Sequence, residues 1–458
     1  MKNSNCSPDA AEEAYCDTGI NLPFDANAPF DTNGRIRSRK NRLDKLKGKL
    51  KELGETYNLS KIFWFIKGFI DNDVDIMYPN GEGGLLILDK HVPLLIISDS
   101  HGLRRKLLDF LFEKKYIGEK TDFQLLAEGA IQVVMLGDAL HTENKALWTN
   151  CLIDEYMKQY VNHGFYGEMP NIEREMADSL GLVAMVMCML RHFPNFHYLK
   201  GNHDNLRNTT EDGNLKVVKY LGHQDHGEGA ILRAGVESWL IRRRLRQVGI
   251  RSWETFLDEY DKLHDRLAHN NYSPDEYFKI YGLWMEDFEY LKAHPGWICY
   301  NAFFAGYSNW ENRLPIMAVY EGELLRVVMS HAPPGEAVID DVQTIRSRSD
   351  KIVFNFTWPN GVNERSGLYV SRIFEVVFKD NAYRDNVSND NGPVAGGFFG
   401  RFSDKLPDKL YVAGHINTGD GVLVVDEKRL VMIHKPGVLV VLLIYPDQRL
   451  FSVDLISS

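Results

Sequence analysis

The chain has 458 residues, 44% of them hydrophobic and 25% charged, proportions expected of a soluble globular protein with room for two or three structural units. Its net charge of −10 and pI near 5.9 lack the basic footprint of a nucleic-acid binder, so general nucleic-acid binding is not expected. The five cysteines (Cys6, Cys16, Cys151, Cys188 and Cys299) are scattered without a C-x-x-C spacing, so neither a disulfide framework nor a zinc knuckle is indicated and buried free thiols in a reducing compartment are expected.

Residues 1–34 carry six acidic residues and one lysine, with no apolar run of a secretory signal; this acidic tail is expected to be disordered. Residues 35–73 read as two N-terminal helices. The first, Arg35 to Leu53, has nine Lys or Arg between positions 35 and 51 and a leucine stripe at Leu43, Leu46, Leu50 and Leu53. The stripe predicts packing on the body, and the basic face is available to a partner or an anionic surface. The second, Leu59 to Ile70, is more apolar. The longest apolar stretch in a helical pattern, Leu182 to Leu190, is too short to span a bilayer. No transmembrane segment is therefore expected, and the protein is expected to be cytoplasmic.

Residues 74–458 read as the main domain. After strands around the Gly81-Glu82-Gly83-Gly84 turn comes Leu94-Leu95-Ile96-Ile97, an apolar run that predicts a strand buried on both faces, followed abruptly by Ser98-Asp99-Ser100-His101. Residues two apart in extended chain point the same way, so Asp99 and His101 project together as a carboxylate and an imidazole, a pair suited to a divalent metal. Four further apolar runs end in metal-type ligands. Ile131 to Leu136 leads to Gly137-Asp138, and Phe196 to Lys200 to Gly201-Asn202-His203-Asp204. Leu324 to Ser330 leads to His331, and Lys409 to Ala413 to Gly414-His415-Ile416-Asn417. In open α/β sheets sites gather where strands end, so five such endings can converge on one crevice. Helical periodicity over 103–116, 145–161 and 172–192 makes the first half a βαβαβ unit with right-handed crossovers.

A helical insertion at about 205–310, dense in aromatics and carrying the basic run Arg242, Arg243, Arg244 and Arg246, separates the third ending from His331. A loop-rich insertion at about 335–405 precedes His415, where such loops commonly select substrate. Residues 421–456 read as antiparallel strands completing a second sheet. His434, like His163, His264 and His269, lacks a partner pattern and is expected to be structural.

The order D-x-H, GD, GNHD, lone His and GH resembles the calcineurin-like metallophosphoesterase superfamily, over residues 92 to 435. The resemblance implies an α/β fold, a β-sandwich flanked by helices, holding two divalent or transition-metal ions (Mn, Fe or Zn) and hydrolysing a phosphorylated substrate. Carried over from the family pattern, Asp99 and His101 would hold one metal, Asp138 would bridge, and Asn202, His331 and His415 would hold the other, with His203 as general acid. Two departures matter. The family's second His in GH-x-H is Asn417 here, offered as an extra ligand. The motif order is closest to the protein Ser/Thr phosphatase branch, yet its GD-x-x-D-R-G reads Gly137-Asp138-Ala139-Leu140-His141-Thr142-Glu143. His141 thus replaces the Asp that orients the catalytic His, and the phosphate-gripping Arg is missing. Asp204 is a further candidate to support the site, and Arg207 and Arg104 are candidate phosphate-binding substitutes. The substrate expected is a phosphomonoester (phosphoprotein or nucleotide). A cyclic-nucleotide or dinucleotide phosphodiesterase is the alternative enzyme, and a binding scaffold on the same fold the alternative of another class.

Overall fold

The computed structural model describes residues 34–72, 84–161, 168–204, 295–333, 342–347, 349–357, 400–401, 409–425, 430–445 and 451–457, with isolated positions at 206, 231–232, 235–236, 238–240, 242–243, 255, 258, 373–374 and 377. The acidic tail and most of both insertions therefore lie outside the described residues. Alternation along each strand builds the architecture. Leu94 and Ile96 of β2 (Leu94–Ile97) face one apolar cluster, and Leu95 and Ile97 face another. A strand buried on both faces reads as an unbroken hydrophobic run for this reason.

Two mixed sheets of six strands each are present among the described residues. The first has the order β4 (Phe196–Tyr198), β3 (Gln132–Met135), β2, β11 (Leu439–Ile444), β12 (Phe451–Ile456) and β7 (Gly400–Arg401); β4, β3 and β2 are parallel. The second has the order β1 (Leu85–Ile87), β5 (Met317–Glu321), β6 (Arg326–Ser330), β8 (Lys409–Ala413), β10 (Leu430–Ile433) and β9 (Val422–Val425), with β6, β8 and β10 parallel. Their facing surfaces share one core, including Ile96, Val134, Leu136, Met329, Val412, Val431 and Leu442. This is the two-sheet sandwich flanked by helices that the resemblance implies.

Helices cover both outer faces. α1 (Gly34–Glu55), α2 (Leu59–Asn72), α3 (Arg104–Phe112), α4 (Asp122–Glu128), α5 (Pro170–His192) and α6 (Pro295–Arg313) lie on the first sheet's side. α7 (Val342–Ser347) and α8 (Asp350–Thr357) pack on the second through Ile345, Ile352 and Phe356. Leu46, Leu50 and Leu53 of α1 are buried, so the leucine stripe is a packing face. Among the described residues no helix is long and apolar enough to cross a membrane.

The C-terminal strands differ from the expectation. They do not complete a single antiparallel sheet: β9 and β10 join one sheet, β11 and β12 the other, and β10 runs parallel to β8. The apolar hairpin signals were the same either way; what strand pattern does not carry is the choice of sheet. α4 was not anticipated, although Thr121 and Gln124 form a capping box and Gly129 closes it in the left-handed conformation. The helical stretch at 145–161 alternates short α-turns with π-turns, Trp148–Leu152 and Tyr156–Val161.

Candidate metal centre

Six parallel-running strand ends, three from each sheet, meet at one place. β2 delivers Asp99 and His101, β3 Asp138, and β4 Asn202, His203 and Asp204; β6 delivers His331, β8 His415, and β10 His434. The backbone is contorted here. Among the described residues the non-glycine positions with positive φ are His101 (35°), Asp138 (53°), His141 (67°) and His415 (65°). Such conformations cost a residue with a Cβ about 1–2 kcal/mol, and they persist where surrounding bonds over-determine them. Those bonds are present: His101 N–H donates to Asp138 O at 2.7 Å, Gly102 N–H to Ala139 O at 3.0 Å, and Gly414 N–H to His331 O at 2.7 Å.

Two motif glycines allow close approach. A Cβ at Gly201 would collide with Asp138, and one at Gly414 with the Asp99 carboxylate. Asp204 then ties two loops together. Its carboxylate accepts the N–H groups of Gly201 (2.7 Å), Ala139 (3.0 Å) and Asp138 (3.2 Å), and the Tyr198 hydroxyl donates to it at 2.6 Å.

The side chains form two Asp/His clusters, Asp99–His101–His434 and Asp138–His331–His415, whose ligand-type atoms lie within 4.8 Å of one another in each. Asp138 Oδ2 faces both, 3.3 Å from His331 Nε2 and 3.7 Å from His101 Nε2. Backbone carbonyls fix the rings. His331 Nδ1–H donates to Leu136 O at 2.8 Å and His101 Nδ1–H to His141 O at 2.8 Å, which turns each Nε2 lone pair inward. Asn202 Oδ1 lies 2.8 Å from His331 Nε2 and 3.0 Å from His415 Nδ1. An inward amide oxygen meets lone pairs there unless a cation or a proton on the His331 ring lies between them; an inward NH2 would donate to the same atoms and to Asp138 Oδ2. His434 Nδ1 is buried without a hydrogen-bond partner, and Asp99 Oδ1 has only the His331 ring nitrogen nearby, at 3.4 Å. Orphaned acceptors and convergent lone pairs fit a pair of metal ions.

The electrostatics agree. Burial disfavours an imidazolium at His331, yet Asp138 and Asp99 push its pKa up to about 10. Burial likewise opposes charging His101, but Glu143, Asp138 and Asp99 push it up to about 9. Burial raises Asp99, and His331, His434 and His101 overcome it, holding the carboxyl well below the ordinary range. The carboxylates thus create a site that demands positive charge.

His203 sits beside both clusters. Its N–H donates to Asp138 Oδ1 at 2.8 Å, and its ring lies edge-on to those of His101 and His141, each with centroids 5.3 Å away. Burial and then the surrounding imidazoles, His141 foremost, hold its pKa well below the usual value. His141 is buried; its N–H donates to Ser179 Oγ at 2.9 Å, and burial followed by His101 pulls its pKa down to about 3.

Three expectations change and one lies outside. Arg104 is no phosphate grip: it is buried, with Nε donating to Asp178 at 2.9 Å, Nη1 bound to the carbonyls of Leu53 and Thr56, and the guanidinium over the Tyr57 ring. Asn417 is exposed, its oxygen accepting Gly419 N–H at 2.9 Å, so it faces a turn and not Asp99. His434 is not a solitary structural histidine but part of the first cluster. Arg207 lies outside the described residues. Of the basic run, Arg242 pairs with Glu173, and Arg243 lies over Trp64 and Trp239. Glu143 and His434 were missed, although Leu430 to Ile433 followed by His434 repeats the pattern of an apolar run ending in a ligand.

No protein-family model matches the chain, and no curated protein does. Among solved structures, a protein serine/threonine phosphatase from Saccharomyces cerevisiae with similarity to human phosphatase PP5 aligns at a TM-score of 0.42 and 10% identity, covering 86% of this chain and 90% of that one. At that level of similarity nothing about its activity transfers.

Proposed function

We propose that the chain is a dimetal-dependent phosphoesterase acting on phosphomonoesters, a phosphoprotein or a nucleotide. The observation that carries this reading is Asp138 Oδ2, which belongs to one Asp/His cluster at 3.3 Å from His331 and also reaches the other at 3.7 Å from His101. Asp99, His101 and Asp138 would hold one ion, and Asp138, Asn202, His331 and His415 the other. Carboxylate, imidazole and amide donors without a thiolate suit Mn, Fe or Zn. When bound, a pair of such ions would neutralise phosphoryl charge and acidify water.

The chain's own residues supply the rest. Asp204 and Gly201 hold the loops in register, and Asp138 Oδ1 fixes the His203 backbone, leaving its ring edge-on to that of His101. A phosphoryl group placed against His203 supplies the negative charge that raises its depressed pKa again. The ring can then give a proton to the departing oxygen.

The test uses protein stripped of metal and reloaded with Mn²⁺, Fe²⁺ or Zn²⁺, assayed on monoesters, cyclic nucleotides and dinucleotides. Metal-dependent release of phosphate from monoesters is expected; turnover confined to diesters, or none with two ions bound, overturns the proposal. His203→Ala should keep its metals and slow alkyl phosphates by roughly 10²–10⁴-fold, while an aryl phosphate with a good leaving group loses much less. Equal losses on both would assign His203 to binding the phosphoryl oxygens instead.

A further inference from the structure

The first cluster contains a histidine that the family resemblance does not supply. His434 follows β10, which pairs in parallel with β8 through Met432 and Ala413, so its strand ends beside the Gly414-His415 turn. The backbone is anchored: Thr418 donates to His434 O through N–H at 3.1 Å and through Oγ1 at 2.9 Å. The side chain is 1% exposed. Its two ring nitrogens face different things. Nε2 lies 2.9 Å from Glu143 Oε1; a carboxylate can only accept, so Nε2 carries the hydrogen. Nδ1 lies 3.6 Å from Asp99 Oδ2, beyond hydrogen-bond reach, and has no hydrogen-bond partner. It therefore presents a lone pair toward the Asp99 and His101 side of the centre, with the His101 ring 5.7 Å away.

We infer that His434 is a metal ligand, completing through Nδ1 the ion site of Asp99, His101 and Asp138, and that Glu143 positions it by fixing its tautomer. A carboxylate holding the far nitrogen of a ligating imidazole both orients the ring and strengthens it as a donor. The inference rests on the dimetal reading and deepens it. The resemblance places a histidine two residues after His415; here that position is Asn417, which faces an exposed turn. The next parallel strand supplies an imidazole in its stead. A purely structural histidine would be satisfied at both nitrogens, or would leave its free one against apolar neighbours. This one leaves it buried among carboxylate and imidazole donors.

The experiment measures metal directly. Full-length protein is stripped, titrated with Co²⁺ and with Mn²⁺, and followed by metal content after gel filtration, by Co²⁺ visible absorption and by the metal-induced rise in melting temperature. Wild type should take two equivalents. His434→Leu, which keeps the bulk without a donor, and His434→Ala should keep one tight equivalent and weaken the other by at least roughly 10–100-fold. Glu143→Gln should fall in that same range of about 10–100-fold. The metal-free melting temperature of His434→Leu should stay close to wild type while its metal-induced rise shrinks, which separates a lost ligand from a damaged fold. Asn417→Ala should bind as wild type. If wild type binds two ions and both His434 variants bind them unchanged, with the same Co²⁺ spectrum, the inference about His434 is overturned and the dimetal reading stands. If wild type does not bind two ions, the dimetal reading itself fails and this inference with it.

Discussion

A methyl group added at Gly201 would sit 2.5 Å from the Asp138 backbone nitrogen and inside the radius of its carboxylate. Gly201→Ala therefore pries apart the two loops that Asp204 ties together, and metal affinity should fall roughly tenfold or more, measured by titration of the stripped protein. Protons compete for the same centre. With His101 pushed to about 9 and His331 to about 10, both rings are protonated at neutral pH without metal and must deprotonate to bind one. Loading the pair at pH 7.5 should release about two protons, and affinity should climb with pH until those values are passed. Calorimetry in buffers of different ionisation enthalpy checks this; zero release would contradict it. At this scale the residues that meet in the two clusters, Asp99, His101, Asp138, His331 and His415, were legible because each follows an apolar run at a strand end. Glu143 was not, since a carboxylate five residues after Asp138 acquires its role only by meeting His434 across 291 positions.

Arg104 shows how an element can disguise its purpose in sequence. One residue past Leu103 and three past His101, it stands where a phosphate-binding arginine would be useful, but α3 carries it inward. There it fastens the α1–α2 connection through Leu53, Thr56 and Tyr57 and pairs with Asp178 of α5 at 2.9 Å. Arg104→Met should cost roughly 3 kcal/mol in denaturant unfolding and open the α1–α2 connection to protease, with KM for phosphate esters unchanged. A raised KM at intact stability would return it to the substrate. Elements were legible where burial imposed a strong period: the α1 leucine stripe, β2 and α5 all fall where their apolar spacing puts them. β10 was misjudged because four apolar residues between turns look the same whether their neighbour runs parallel or antiparallel.

Across the whole molecule, the centre is the seam between two sheets. Asp99, Asp138 and Asn202 come from one, His331, His415 and His434 from the other. Ions bound only by the assembled state stabilise it by mass action, about 4 kcal/mol for each at a free concentration a thousand times its Kd. A chelator should lower the melting temperature and added Mn²⁺ or Zn²⁺ restore it; a melting temperature indifferent to both would dissociate the clusters from metal. The sandwich was legible as a class through the motif resemblance, since the apolar runs by themselves say that strands form and not how two sheets face each other. The division of the last four strands between the sheets was not, because it depends on contacts with residues far earlier in the chain.

That division sets an order of events during synthesis. β2 is the centre of its sheet, yet its partner on one side, β11, pairs Val441 with Ile97 about 340 residues later, an interval on the order of half a minute at the ribosome. Throughout it β2 can lean on β3, but its other edge is bare and apolar, the kind of edge that recruits foreign strands. His434 and β11 emerge almost together, so the last side chain of the two Asp/His clusters and the strand that closes the sheet arrive in one step. Nascent chains halted before residue 430 should therefore depend on a chaperone and hold metal poorly, whereas release of the final stretch should seal the edge and admit the ions together.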